Sequence, residues 1–119
     1  MLRSLLPFAV AGLLAAPAAV AQPCDRVTDK AAFISLIRDK ALTRVGITLR
    51  VDPGGAIEGR AFGQTVKGAW QWKSGLFCRD LSFGKRDLGP NCQVVQRNGD
   101  TVRFIADEGK GDYADLRLK

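Results

Sequence analysis

Histidine is absent from this chain of 119 residues, and its only methionine is Met1. Without imidazole there is no Ser-His-Asp triad, no histidine metal site and no histidine proton relay, which removes much of ordinary hydrolytic and metal chemistry. No block of five or more like charges occurs and no basic helix can be drawn, so nucleic acid is a poor partner. Beyond residue 21 no apolar run reaches the ~20 residues that span a bilayer. A glycine-rich dinucleotide fingerprint, an internal repeat and a low-complexity tract are missing as well.

What is present fits one small domain: 25% charged and 46% hydrophobic residues lie in the ordinary globular range. Met1-Leu2-Arg3 followed by an uncharged Leu/Ala/Val run to Ala19-Val20-Ala21 reads as a secretory signal over residues 1–21. Gln22-Pro23 before Cys24 does not match a lipid-attachment site. The expected domain is 22–119, periplasmic or secreted. Signal removal takes away one Arg and no acid, which lowers the formal charge of +6 by one. Acids and bases are interspersed, so this excess serves solubility first and weak steering of anionic partners second.

Export gives the cysteines meaning, because a small domain in an oxidising compartment gains from a disulfide. Cys78 and Cys92 are the expected pair. Cys24 is then left over, to be free, to pair with another molecule, or to compete for Cys78 or Cys92.

The hydrophobic pattern predicts a mostly β domain with one N-terminal helix. Thr28 is a cap candidate, and Ala32, Phe33, Leu36 and Ile37 share one face of a helix over Asp29–Arg38. Period-two alternation then predicts strands over Val45–Val51, Ala56–Phe62, Thr65–Trp72, Leu76–Phe83, Cys92–Arg97, Thr101–Ala106 and Asp112–Leu118. Asn98-Gly99 is the strongest turn signal, and Gly84–Asn91 reads as the longest interior loop. Such a series makes an antiparallel meander curled into a small barrel or half-barrel, with the helix covering one opening.

Several residues are candidates for a site. Trp70 and Trp72 fall on the same strand face, either as a stacking platform for a ligand or as core. Arg79 can hold an anion. Asp80, if buried in a cleft, would have a raised pKa suited to acid-base work. Lys85 and Arg86 can form an anion-receiving lip on the disulfide-held loop. Asp107, Glu108, Asp112 and Asp115 offer oxygens to a hard cation, but Lys110 interrupts them and their order is not that of an EF-hand, so no metal is expected. Glu58, Asp80, Asp87 and Asp107 as paired carboxylates, or Cys24 as a thiol nucleophile, have no spacing that selects a reaction.

The runs Gly68-Ala69-Trp70-Gln71-Trp72-Lys73-Ser74-Gly75-Leu76-Phe77-Cys78-Arg79-Asp80-Leu81, Gly89-Pro90-Asn91-Cys92-Gln93 and Asp107-Glu108-Gly109-Lys110-Gly111 resemble a family of small exported Gram-negative proteins. Members of that family are often labelled dihydrodipicolinate reductase. The resemblance implies an exported domain whose cysteine pair matches Cys78 and Cys92, and it carries no activity with it. A true reductase of that name needs a Rossmann domain and a catalytic segment with His and Lys, neither of which fits a chain this short and without His. The expectation is a non-enzymatic binding module for a small ligand or an envelope protein, without a cofactor. The alternatives are an inhibitor or interaction protein acting through the basic loop and, more remotely, a small enzyme using Asp80.

Overall fold

The computed structural model describes residues 25–119. The expected signal over 1–21 and Cys24 lie outside the described residues. Among the described residues nine strands form one antiparallel sheet: β1 (Asp25–Val27), β2 (Leu42–Arg44), β3 (Ile47–Val51), β4 (Ala56–Ala61), β5 (Gln64–Lys73), β6 (Leu76–Phe83), β7 (Arg86–Asn98), β8 (Thr101–Ile105) and β9 (Tyr113–Leu118). From β2 to β9 each strand pairs with the next, and β9 pairs back onto β2. The result is a closed eight-stranded meander barrel, which removes the sheet edges that a half-barrel would expose. β1 adds to the far end of β7, in line with β6.

Closure depends on a strand that the period-two pattern does not reveal. The expected strand over Val45–Val51 shortens to β3, and an unexpected strand, β2, precedes it across a turn at Val45-Gly46. Gly46 takes φ 79°, and Val45, expected to point inward, stands 91% exposed at the turn. β2 places only Leu42 in the core, opposite Leu49 on one side and Leu118 on the other. Paired bonds between Ala41 and Lys119, at 3.0 and 2.9 Å, lock the seam.

Two more expectations are corrected. Gly84–Asn91 is not a long loop: Gly84-Lys85 makes a tight turn and β7 begins at Arg86. A register shift between Leu81 and Ser82, opposite Gly89 at φ 72°, breaks the alternation that would have revealed the strand. The last hairpin centres on Gly99-Asp100, because Asn98 remains in the ladder opposite Thr101. Gly99 supplies the positive φ of 61° that the mirror-image turn requires.

Helix α1 (Lys30–Ile37) precedes the meander, and Asp29 rather than Thr28 caps it, accepting a bond from the Ala32 amide at 3.3 Å. Eight residues do not make a stable helix in water, so tertiary burial must hold it. Phe33, Leu36 and Ile37 provide that burial. Phe33 is fully enclosed, with its ring 5.2 Å from Trp70, 5.1 Å from Trp72 and 5.1 Å from Phe77. The helix therefore plugs the end of the barrel reached by the 52–55, 73–76 and 98–101 turns. The Val45-Gly46, Phe62-Gly63 and Gly84-Lys85 turns and the short left-handed turn α2 (Ala106–Gly109) surround the other end.

Candidate functional site

Above the plug the barrel is not filled. A cavity of about 300 Å³ has Phe77 and Phe104 as its floor, with Leu42, Leu49, Val51, Ile57, Leu81 and Leu116 among its walls. Alternation along each strand produces this lining, since residues two apart on β3 and β6 share the inner face. Near the rim stand Ala106, Asp112, Tyr113 and Ala114, of which Tyr113 is 57% exposed.

The same alternation brings one cation inside. Arg79 lies between Phe77 and Leu81 in sequence and follows their parity, so it lines the cavity with them. Its Nη1 donates to the Gly89 carbonyl at 2.8 Å. Burial pushes its pKa down from the ordinary arginine value, partly offset by the charge of Asp80, yet a guanidinium stays protonated throughout the working range. No salt bridge to Arg79 forms among the described residues. β7 adds polar neighbours, because its register sets Gln93 opposite Phe77 and Asn91 opposite Arg79.

Gln93 is buried and donates to Asn91 Oδ1 at 3.3 Å, and it too lines the cavity. Asn91 in turn donates to Asp107 Oδ1 at 2.8 Å and accepts the Asp107 amide at 3.0 Å. This pair of bonds holds Asp107 and Glu108 in the left-handed region, at φ 54° and 58°. Two successive non-glycine residues there cost on the order of 1–3 kcal/mol each, so the clamp from Asn91 fixes the turn over the rim against that strain.

The expected site residues do not gather in one place. Trp70 and Trp72 do point inward, but they belong to the plug and not to the cavity lining. Trp70 is 4% exposed, its Nε1 donates to the Asp52 carbonyl at 2.8 Å, and Trp72 Nε1 donates to that of Thr28 at 3.2 Å. Phe33 packs edge-on to Trp70 and stacks on Trp72, so both indoles are engaged by α1 although Trp72 stays half-buried. Asp80 projects from the outer face of β6 and is exposed, so it lacks the burial that acid-base work was expected to exploit. Lys85 and Arg86 are exposed at the tip of the β6–β7 hairpin. Cys78 and Cys92 face each other in the β6–β7 ladder and are joined by a disulfide.

Of the residues expected to bind a ligand, Arg79 alone lines the cavity, with Asp112 of the expected acidic group at its rim. Gln93 and Asn91 were not singled out in the sequence, although their parity with buried Val95 was a usable signal. Asp107, Glu108, Asp112 and Asp115 do not meet as a metal-binding group among the described residues. Asp115 is instead paired with Arg103, at 2.8 and 3.0 Å. Comparison with family models, with curated proteins and with solved structures finds no match.

Proposed function

We propose that this chain is an exported, non-enzymatic binding module, periplasmic or secreted, whose barrel cavity holds a small apolar ligand. The observation that carries the reading is the cavity itself: about 300 Å³ of unfilled, largely apolar space between a packed aromatic plug and an open rim. Small barrels are ordinarily filled by their own side chains, so retained space at one end is a feature to be explained. Ligand pockets begin at about this volume and combine apolar walls with a few polar groups, the role here of Arg79 and Gln93. The disulfide and the signal pattern of residues 1–21 support export, and no helix among the described residues is long and apolar enough to cross a membrane.

The reading is tested by mass spectrometry of the protein recovered from a periplasmic extract, native and denatured. We expect an added mass that leaves on denaturation, or uptake of 1-octanol by the bare chain. A bare chain that takes up no 1-octanol refutes the reading.

A second reading, an inhibitor or interaction protein, is favoured by the hairpin tips. Phe62 is 68% exposed and its amide donates to Gly46 at 2.8 Å, which sets it beside exposed Val45. With Lys85 and Arg86 on a neighbouring tip, these residues would enter an acidic cleft of a partner. Charge reversal at Lys85 and Arg86 should then abolish capture of that partner from an envelope extract and leave 1-octanol uptake unchanged.

A further inference from the structure

We propose that the cavity selects an anionic amphiphile, a short-chain carboxylate whose head group meets the Arg79 guanidinium while its alkyl tail lies among the leucines. This rests on the reading of the barrel as a ligand-binding module and goes beyond it by naming the ligand class.

Volume, lining and charge each restrict the ligand. A space of about 300 Å³ accommodates roughly ten non-hydrogen atoms, at the ~30 Å³ that a water molecule occupies in the liquid. That excludes a long acyl chain held at full length and admits one of about eight carbons. The walls are mostly aliphatic, with Leu42, Leu49, Val51, Ile57, Leu81 and Leu116, and reward a flexible hydrocarbon, while the polar lining groups besides Arg79 are few: Gln93, Asp112 and Tyr113.

The charge is the most informative part. A guanidinium carries five N–H donors, and among the described residues Arg79 makes one side-chain bond, to the Gly89 carbonyl. A cation drawn partly out of water needs partners, and among the described residues no carboxylate forms a salt bridge with it; the acid in the cavity lining, Asp112, stands at the rim. Asp80, whose charge acts on it, follows it in the chain and therefore faces the outside. A carboxylate entering from the rim would complete the missing pair, with the planar fork of the guanidinium matching its two oxygens. Gln93 stands one register step deeper and is already bonded to Asn91, which fixes its amide beside the cavity.

The test is calorimetric titration of the disulfide-intact protein with octanoate, 1-octanol and octylammonium, three probes of one tail and different heads. Octanoate is expected to bind about ten- to a hundredfold more tightly than 1-octanol, as a charge-assisted bond in a partly dry site provides, and octylammonium to be rejected. The Arg79→Gln variant should bind 1-octanol as the parent does and lose the preference for octanoate. Equal binding of octanoate and 1-octanol by the parent overturns the assignment while leaving the apolar-cavity reading intact. Binding of none of the three overturns both. Should Arg79→Gln not fold, the rank order of the three probes on the unaltered protein still decides the matter.

Discussion

Replacing Phe33 by Ala tests whether α1 is a structural plug or a loosely attached leader to the barrel. The ring is fully enclosed and touches the indoles of Trp70 and Trp72 and the ring of Phe77, with Phe104 at 6.4 Å. Truncating such a phenylalanine costs about 3–5 kcal/mol through lost transfer energy and the hole left behind. A domain of this size has only ~5–15 kcal/mol in all, so about a fifth or more of its stability is at stake. Urea unfolding followed by far-ultraviolet circular dichroism gives the change in stability, and indole fluorescence reports the same site, because both tryptophans of the chain touch Phe33. We expect a large loss of stability together with red-shifted emission in the native baseline, as water reaches the indoles. Phe33→Leu, which refills most of the hole, should recover more than half of the loss. A Phe33→Ala protein within ~1 kcal/mol of the parent and with unchanged emission would refute the plug, and with it the account of why the cavity is closed at that end.

Other expectations follow from single features. Replacing Cys78 and Cys92 together by Ala should cost about 3 kcal/mol, the chain-entropy value for a loop of this length, read as a lower urea midpoint at unchanged slope. Gly68→Ala should cost roughly 1–3 kcal/mol, since a Cβ there would collide with the Asp80 carbonyl oxygen and lie 2.6 Å from Leu81 Cδ2, read as a lower urea midpoint. The hydrogen bond from Arg103 holds the Asp115 carboxyl below the usual carboxylate range, despite an opposing effect of burial. Its contribution is complete above the unfolded value of about 4 and is lost as the pH falls through the lower folded value. Asp115→Asn should therefore show a smaller loss of stability between pH 7 and pH 3 than the parent, by a modest amount because the pair is partly exposed.

Local chemistry in the sequence determined much of this protein. Alternation of Ile47, Leu49 and Val51, of Trp70 and Trp72, and of Phe77 and Leu81 assigned inward faces before any pairing was known, because a strand has a period of two whatever its neighbours. Gly63 and the Ser74-Gly75 pair marked hairpins, since φ beyond zero is demanded there and tolerated by few residues, although the first turn falls at Phe62-Gly63 and not at Gly63-Gln64. The pairing of Cys78 with Cys92 was expected too, in a small domain read as exported and as the family resemblance implies.

Only the tertiary structure decided the rest. β2 has one inward residue and no pattern of its own, so barrel closure became visible only where Leu42 meets Leu49 and Leu118. The start of β7 was hidden by an irregularity, because one residue of slip reverses the parity on which sequence reading depends. The site was hidden for a different reason. Parity assigned Arg79 to the inner face, but a charged residue on an inner face is costly and is usually read as belonging outside. Whether that face meets packed rings, as at Trp70, or empty space, as at Arg79, depends on where α1 stops filling the barrel, and that is a property of the assembled volume and not of any stretch of chain.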